Sequence, residues 1–498
     1  MSAPRNQQPA TINSNVTVHI IGGGLAGSEA AWQVASRGVP VVLHEMRPVR
    51  PTLVHKTDHL AELVCSNSFR GDSLENAVGL LKEEMRRLGS IVMRGADAAR
   101  VPAGGALAVD RVRFSSVVTE AVSSHPLIAL TRGEITAVPE PDGSPWIIAT
   151  GPLTSDALSA DIVRFVGAEH LSFYDAISPI VHADSIDRSK VFRQSRWDKD
   201  AMGPDGPRSA RGAGAEGATG AACGVDDGQG DYLNCPMTKE EYERFYDALV
   251  SAESATVRDF DKATFFEGCL PIEVMAHRGH DTPRFGPMKP VGLTDPRTGR
   301  RPYAVVQLRQ DTLAGDHWSL VGFQTQIKWA DQARVLRLIP GLENAEFVRL
   351  GMVHRNTYIN GPTVLRDTWQ SRHRDDLLFA GQVSGVEGYV ESAASGLLAG
   401  RNAAALALGE APASPPRTTA IGALAYYVSH AEAKHYQPSN ITFGIMAPWD
   451  DVQGERPKKG ADRKQAISSR ALAALGDWLS GRTVAAVPDL AELTGARG

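Results

Sequence analysis

A glycine-rich turn near the N-terminal end constrains the fold of this chain more than any other feature. Six residues form the turn, directly after an apolar run that ends at Ile21: Gly22, Gly23, Gly24, Leu25, Ala26 and Gly27. A helical pattern follows the turn, and a second apolar run ends at Glu45. This order of strand, glycine turn, helix, strand and acid is typical of the unit that opens a Rossmann-like domain. We therefore predict an α/β fold.

The residues of this turn have separate physical roles. Gly22 permits the tight turn, Gly24 lets the backbone approach a pyrophosphate, and Gly27 allows close packing of helix against strand. The N-terminus of the helix offers unpaired amides and a positive dipole end to the phosphates. Glu45 can accept hydrogen bonds from a ribose, and its charge disfavours a 2′-phosphate. The turn therefore predicts FAD or NAD, rather than NADP, as the resident nucleotide.

Two later segments favour FAD over NAD. One strand-like run ends at Gly151, and another ends at Gly381 before a helix of small residues. Gln382 and Gly385 lie between the second run and that helix. Two-dinucleotide-fold flavoproteins place a similar unit near the ribityl chain and the flavin, whose pyrimidine ring gains negative charge on reduction. An acid usually follows this glycine, and a glutamine there resembles the tRNA-modifying branch of flavoproteins. We therefore predict that these four residues contact FAD.

The sequence offers no second nucleotide site of the same kind. Residues 212–217 repeat the glycine spacing, but no strand precedes them and no amphipathic helix follows. They lie in a Gly- and Ala-rich stretch, 204–230, which cannot bury a core. We therefore predict a flexible insertion there, which makes its Cys223 a poor catalytic candidate. NADPH or NADH is expected to visit the protein without a dedicated Rossmann domain.

The chain has 498 residues, too many for one ordinary hydrophobic core. We predict a FAD-binding domain built from residues 16–185 and 320–498, the latter ending in a tail. An α+β domain is inserted at 186–319, and the active site lies in the cleft between the domains. Residues 1–15 are polar and are expected to form a disordered leader. Because no signal peptide and no bilayer-length apolar run occur, we expect a cytoplasmic protein without a membrane partner.

The four cysteines do not indicate a disulfide framework or a metal site, because none belongs to a Cys-x-x-Cys pair. Cys65 ends an apolar approach and begins a polar turn, so it lies at an element boundary. Cys235 precedes Pro236, which is expected to stop any preceding helix and to fix a turn. Thr238 then caps a predicted helix, with Glu241 as the capping-box partner. A position before a helix N-terminus lowers the pKa of a thiol. Cys65 and Cys235 are therefore candidate catalytic residues, with buried packing as the alternative for either.

The charge of the chain gives a mixed indication about nucleic acid. The formal net charge of −5 argues against a general nucleic-acid-binding surface. Between residues 276 and 340, however, ten basic residues stand against five acidic ones, which gives a local charge of +5. Such a stretch can hold an RNA backbone. A solvated surface is the alternative, and the sequence leaves the two equally open.

Seven segments, in order over residues 16–448, resemble the TrmFO family of methylenetetrahydrofolate- and FAD-dependent tRNA uracil-54 C5-methyltransferases. The segments lie at 22–27, 63–70, 101–111, 234–245, 266–273, 284–293 and 379–396. The stretch at 204–230 and the tail beyond about residue 450 depart from the family pattern, but neither touches the matched segments. The resemblance implies C5-methylation of uridine 54 in the T-loop of tRNA.

The resemblance also implies the reacting groups. The carbon comes from 5,10-methylenetetrahydrofolate and passes by way of flavin N5 to uracil C5, with reducing equivalents from NADPH or NADH. Uracil C5 is a poor nucleophile, and a thiolate that adds to C6 activates it. By resemblance, Cys235 is the better candidate for this attack, and Cys65 lies near the flavin, where it acts on the flavin–methylene species or as a base at C5. A base in a folded RNA loop must be turned out before a thiol reaches it.

Other functions stay open on the residues alone. A related flavoprotein could modify a wobble uridine together with a partner protein. A small-molecule flavin oxidoreductase would never meet RNA and would need neither Cys65 nor Cys235. A binding module with a purely structural flavin is a weaker alternative. The sequence contexts of the two cysteines favour the methyltransferase.

Overall fold

The computed structural model describes residues 16–52, 54–167, 171–176, 178–196, 230–254, 270–351, 353–449 and 461–481. The expected leader, nearly all of the Gly- and Ala-rich stretch with Cys223, and the end of the tail lie outside the described residues.

The described strands form four sheets. In chain order they are β1 (Val18–Ile21), β2 (Val41–Glu45), β3 (Ser68–Gly71), β4 (Arg100–Val101), β5 (Ala106–Val109), β6 (Ile128–Arg132), β7 (Trp146–Ile148), β8 (Leu171–Ala176), β9 (Ile180–His182), β10 (Phe192–Arg193), β11 (Tyr232–Met237), β12 (Ala304–Gln310), β13 (His317–Leu320), β14 (Phe347–Arg349), β15 (Val353–Tyr358) and β16 (Leu377–Phe379).

The described helices cover the faces of these sheets. They are α1 (Leu25–Ala35), α2 (Ala77–Arg87), α3 (Ile91–Ala98), α4 (Arg111–Ser124), α5 (Asp156–Val166), α6 (Lys239–Val250), α7 (Ile272–His277), α8 (Thr282–Phe285), α9 (Trp329–Leu336), α10 (Gly361–Val364), α11 (Tyr389–Ala407), α12 (Ala420–His430) and α13 (Ala461–Ser480). Among the described helices, none combines the length and the apolar character that a membrane span requires.

The first domain is built on a five-stranded sheet in the order β16-β7-β1-β2-β6. All neighbouring strands are parallel, with Val18 opposite Val41 and Ile20 opposite Ile147. Parallel strands need crossover connections that cover the sheet, so their side chains are buried on both faces. The predicted strand–turn–helix–strand unit is confirmed, because β1, α1 and β2 form where the sequence pattern puts them. The fold class is α/β, as predicted.

Helix α1 lies against α11 so closely that two positions of α11 accept only glycine. A Cβ atom at Gly396 would come within 2.1 Å of the Ala26 carbonyl oxygen. A Cβ atom at Gly400 would come within 2.6 Å of the Ala30 carbonyl oxygen. These glycines lie one turn apart and form a flat strip that receives the backbone of α1. Residues from both ends of the chain therefore share one hydrophobic core.

The second domain contains a six-stranded antiparallel sheet in the order β10-β11-β12-β13-β9-β14. Its strands come from residues 180 to 349, so the predicted limits of 186 and 319 are too narrow. The strands that were missed, β9 and β14, have three residues each. Three residues are too few to show a clear alternation of apolar and polar side chains. These two strands form because they pair with neighbouring strands of the sheet.

A two-stranded antiparallel ribbon of β8 and β15 joins the two domains. Leu171 lies opposite Tyr358, and Ala176 lies opposite Val353. The chain therefore passes into the second domain after β8 and returns to the first domain through the neighbouring strand.

Part of the expected tail is a packed helix. In α13, Ala471 and Leu475 are fully buried. The Ser468 hydroxyl donates a hydrogen bond to the Leu74 carbonyl oxygen at 2.6 Å. This helix therefore belongs to the core of the first domain.

Glu84 of α2 holds the start of α12 from inside the first domain. Its two carboxylate oxygens accept hydrogen bonds from the Ala420 and Ile421 amides, each at 2.8 Å. The side chain is fully buried. Burial raises the pKa of Glu84 to about 8, although the hydrogen bonds from the two amides lower it in part. The folded protein therefore binds this proton more tightly than the unfolded chain does.

The stability of the protein should fall as pH rises from about 4.5 to about 8, in part because of Glu84. Below that window the group is protonated in both states, and above it the folded state carries a buried charge. One such group contributes at most about 1.4 kcal/mol per pH unit. Denaturant titrations across the window should show a smaller slope for Glu84→Gln than for the wild type. Equal slopes would contradict the assignment.

Candidate active site at the junction of two cavities

A cleft opens at the carboxyl ends of the parallel strands of the first domain. Open α/β sheets bind their ligands at this edge. The cleft brings together predicted cofactor residues that are distant in sequence: Gly22, Gly24, Leu25, Ala26, Glu45, Gly151, Gly381 and Gln382.

The backbone of the glycine turn fits a bound pyrophosphate. Gly22 has a φ of +103°, and a Cβ atom there would come within 2.7 Å of the Ala149 carbonyl oxygen. A Cβ atom at Gly27 would come within 1.8 Å of the Gly22 carbonyl oxygen. A Cβ atom at Gly24, in contrast, would meet no heavy atom of any described residue beyond its two chain neighbours within 4 Å. Gly22 and Gly27 therefore close the turn, and Gly24 leaves open space in front of the helix N-terminus.

Glu45 lies at the end of β2, and protein groups fix its carboxylate. One oxygen accepts a hydrogen bond from the Gly23 amide at 2.8 Å, and the other accepts from Arg47 Nε at 2.9 Å. Burial disfavours the charge, but the hydrogen bond and the charge of Arg47 lower the pKa of Glu45. The group stays ionised, and its remaining lone pairs can accept from a ribose hydroxyl. Gly23 orients this acid without lining the cleft.

The late glycine segment forms another part of the cleft wall. Gly381 has a φ of +77°, and Gln382 donates a hydrogen bond to the Glu387 carboxylate at 3.0 Å. Gly385 does not line the cleft. A Cβ atom there would come within 2.1 Å of the Tyr436 hydroxyl oxygen, so this glycine accommodates a tyrosine.

A second, open cavity adjoins the cleft. Its walls come from both domains and include Arg70, Arg111, Arg309, Ser319 and Gln324. The residues that line both spaces are Cys65, Gln382, Tyr389 and Ser392. A substrate in the second cavity would therefore meet a cofactor in the cleft beside the Cys65 thiol.

Both domains hold the backbone of Cys65 in place. The Tyr389 hydroxyl oxygen accepts a hydrogen bond from the Cys65 amide at 2.8 Å. The Cys65 carbonyl oxygen accepts from Arg111 at 3.2 Å and from Arg349 at 2.8 Å. Arg111 itself forms an ion pair with Asp311 at 3.1 Å. Burial, followed by the nearby Arg111 charge, lowers the pKa of Arg349 to about 10, so both guanidinium groups stay charged near neutral pH.

Cys235 lies away from both cavities. It pairs with Val306 in the middle of the second domain's sheet, and it is fully buried in that domain's core. The capping box of Thr238 and Glu241 is confirmed, but a strand, not a turn, precedes the helix. Burial raises the pKa of the Cys235 thiol. The expected lowering by the helix N-terminus is therefore wrong, because desolvation outweighs it.

The basic stretch at 276–340 is only partly available to a ligand. Four of its cations form ion pairs with acids: Arg284, Arg297, Lys328 and Arg334. Lys289, Arg300 and Arg301 are exposed, and none of the three forms an ion pair with a described residue. Phe285 lies nearby in sequence and is 81% exposed.

Sequence reasoning missed several residues of this junction: Arg111, Arg309, Arg349 and Tyr389. Tyr389 and Arg111 lie in segments that carry the family resemblance. That resemblance was the only feature of the sequence that could have marked them as site residues. Arg349 lies between Val348 and Leu350, outside the seven matched segments, so its role appears only when the second domain packs against Cys65.

Comparisons with known proteins agree with this architecture. The family model described as glucose inhibited division protein A matches residues 17–204 and 221–411. Methylenetetrahydrofolate–tRNA-(uracil-5-)-methyltransferase TrmFO of Enterococcus faecalis is 56% identical over 455 residues, which cover 91% of this chain and 97% of that protein. The protein of the same name from Bacillus cytotoxicus is 53% identical over 463 residues, 93% of this chain and 99% of that protein.

Among solved structures, Aquifex aeolicus GidA superposes with a TM-score of 0.63 over 94% of this chain and 74% of that chain. Its sequence is only 16% identical, so this likeness concerns the fold. The two TrmFO relatives are much more similar in sequence, and this chain matches them over nearly their whole length. The chain therefore belongs to the TrmFO family, within the wider group that the glucose inhibited division protein A model describes.

Proposed function

We propose that this protein methylates C5 of a uracil base in tRNA, with FAD bound in the cleft and 5,10-methylenetetrahydrofolate as the carbon source. The names of its close relatives support the reaction and both substrates. The observation that carries the proposal is the junction at Cys65, where the cleft of the first domain and a cavity lined by both domains share one wall. Uridine 54 of the T-loop, reduction by NADPH or NADH, and a cytoplasmic location are proposed from the family resemblance.

The residues of the cleft fit FAD. The open space at Gly24 suits a pyrophosphate, and the ionised Glu45 suits a ribose. The α11 N-terminus, beside Gln382, suits the pyrimidine end of the flavin. When bound there, FAD supplies the redox and one-carbon-carrier chemistry of the reaction. The protein's part is to hold the cofactor, exclude water and present a thiol to the base.

Cys65 is the thiol that we propose to add to uracil C6. It is partly exposed and lines both cavities, and the Arg111 and Arg349 guanidinium groups contact its backbone. Cys235 stays a second candidate by family resemblance. Its full burial means that it could attack only after the second domain's sheet opens on RNA binding.

An assay with purified protein, unmodified tRNA, methylenetetrahydrofolate and NADPH tests the proposal. We expect 5-methyluridine in nucleoside digests, and carbon-13 in the folate methylene should appear in the methyl group. A tRNA with cytidine at position 54 should yield no product. Methylation without folate would contradict the carbon source, and oxidation of small molecules alone would favour the oxidoreductase alternative. A product at the wobble position would favour the other tRNA-modifying branch.

Lys289 is expected to contribute to tRNA binding through a phosphate. It is exposed and has no ion-pair partner among the described residues. Lys289→Gln should weaken tRNA binding and reduce the slope of log K against log salt by about 1. Arg334→Gln is the matched control, since Arg334 already pairs with Asp331. Titrations at several salt concentrations measure both slopes, and identical slopes for wild type and Lys289→Gln would contradict the assignment.

A further inference from the structure

Phe285 of the second domain is 81% exposed, more than any other large apolar side chain in the part of the chain that the structure describes. No aromatic ring and no guanidinium group of a described residue lies against its ring. Single exposed apolar side chains are common on protein surfaces and need no special explanation. Phe285 differs from such residues in how firmly its turn is held, in where that turn lies and in the charges beside it.

Contacts with β12 and with the residue before it anchor this turn on both sides of Phe285. On one side, the Arg284 guanidinium group lies 3.5 Å from the centre of the Tyr303 ring, and Arg284 Nε donates a hydrogen bond to the Tyr303 carbonyl oxygen at 3.1 Å. On the other side, Met288 is fully buried, and its carbonyl oxygen accepts a hydrogen bond from the Val305 amide at 3.1 Å. The backbone is therefore restrained on both sides, and the turn presents the Phe285 ring to solvent.

The turn lies at the edge of the second cavity. Gly322 lines that cavity, and a Cβ atom at Gly322 would come within 2.7 Å of Pro287 Cβ. The Pro287 ring therefore contacts a residue of the cavity wall. Phe285 is two residues before Pro287, and two residues of chain span at most about 7 Å. An aromatic ring that projects into solvent thus lies beside the space that the proposed function assigns to the base.

Two cations lie close to this ring in the chain. Lys289 is four residues after Phe285, and Arg301 is on the neighbouring segment, two residues before Tyr303. Both cations are exposed, and neither forms an ion pair with a described residue. An exposed aromatic face beside cations matches single-stranded RNA, because bases stack on the ring while phosphates meet the charges. A protein partner would instead need an apolar patch much wider than one ring.

We propose that Phe285 stacks on a T-loop base next to the target uracil and holds the loop open while that uracil occupies the second cavity. This role rests on the proposed function and does not depend on which cysteine attacks the base. A base that is turned out of a folded loop leaves its neighbours without a stacking partner, which costs free energy. An aromatic ring at the edge of the cavity replaces part of that stacking and therefore favours the turned-out state.

Truncation of the ring tests this contact. We expect Phe285→Ala to weaken tRNA binding by about 5- to 150-fold, which is the range for the loss of one stacked base. Phe285→Tyr should bind tRNA as the wild type does, whereas Phe285→Leu should resemble Phe285→Ala, because leucine has no aromatic face. The slope of log K against log salt should stay unchanged in all three variants, since no phosphate contact is lost. Fluorescence anisotropy at several salt concentrations measures both quantities.

Modified RNA identifies the stacked base. In tRNAs with one abasic nucleotide at each T-loop position in turn, one position beside the target should weaken binding to the wild type and have little effect on Phe285→Ala. Such non-additivity reports a direct contact, and a general loss of structure would not produce it. The control is Tyr426→Ala, which should keep the wild-type affinity because the Tyr426 ring already stacks on His430 at 4.3 Å. FAD content and melting temperature should be unchanged in the Phe285 variants, since the side chain lies on the surface.

Other results would overturn the role of Phe285. Unchanged tRNA affinity in Phe285→Ala, or additive effects of the abasic nucleotides at every position, would exclude stacking. Equal affinity of Phe285→Leu and the wild type would mean that only apolar volume matters. A lower sedimentation coefficient of Phe285→Ala without RNA would mean that the ring contacts a second copy of this chain. Wild-type protein that fails to methylate tRNA would refute the proposed function itself, whereas an active wild type without these effects would refute only the role of Phe285.

Discussion

Cys65→Ala is expected to lower kcat for tRNA methylation by at least about 10³-fold, because loss of a nucleophile removes the covalent route. The variant should fold normally, since Cys65 lies on the wall of two cavities and not in a core. Nucleoside analysis under single-turnover conditions measures the rate. The flavin spectrum and the melting temperature report whether the site is otherwise intact.

Cys235 provides the matched comparison. In the absence of tRNA, iodoacetamide should label Cys65 and leave the buried Cys235 unlabelled, as peptide mass spectrometry can measure. Cys235→Ala removes a small core side chain and should lower the melting temperature. If Cys235→Ala abolished methylation at an unchanged melting temperature, with Cys65→Ala still active, the attack on C6 would belong to Cys235. The sheet of the second domain would then have to open during the reaction.

Gly24→Val is expected to weaken FAD binding by at least about 100-fold, or roughly 2.7 kcal/mol, and methylation should be lost with the cofactor. The new side chain would fill the open space in front of the α1 N-terminus, where no described residue beyond the two chain neighbours lies within 4 Å. The apoprotein should therefore fold as well as the wild type while it fails to hold FAD. Fluorescence titration of the apoprotein measures the affinity.

Two other glycines serve as controls for Gly24→Val. Gly105 also has open space at its Cβ position but lies outside the cleft, so Gly105→Val should bind FAD normally. Gly27→Ala should instead destabilise the fold, because its methyl group would collide with the Gly22 carbonyl oxygen. Normal FAD affinity in Gly24→Val would exclude the proposed pyrophosphate position.

Local patterns predicted the cofactor-binding half of the fold well. The turn at 22–27, the strand before it and the helix after it depend on neighbours in sequence, so periodicity and glycine spacing suffice. The strip formed by Gly396 and Gly400 was not predictable in this way. Those glycines matter only because α1, which lies far away in sequence, packs against them.

The environment of Cys235 shows why local reasoning failed in the second domain. The sequence predicted a turn at Pro236, because proline stops any preceding helix. In the structure β10 pairs only with residues 233 and 234 of β11, so Pro236 lies beyond the ladder on that side. Proline is therefore tolerated within the strand, and Cys235 enters a core instead of a helix N-terminus. Arg309 was missed for a related reason, because burial alone distinguishes it from the other basic residues.

The pairing of β8 with β15 indicates where the second domain could be excised from the chain. Neighbouring strands lie about 4.8 Å apart, so Ala176 and Val353 are close enough for a two-residue hairpin to join them. Removal of residues 177–352 at that point would close the flavin-binding part without threading or strain. The excised part carries Arg349 and Asp311, so the shortened protein would keep the cleft of the first domain but lose the second-domain contacts that hold Cys65.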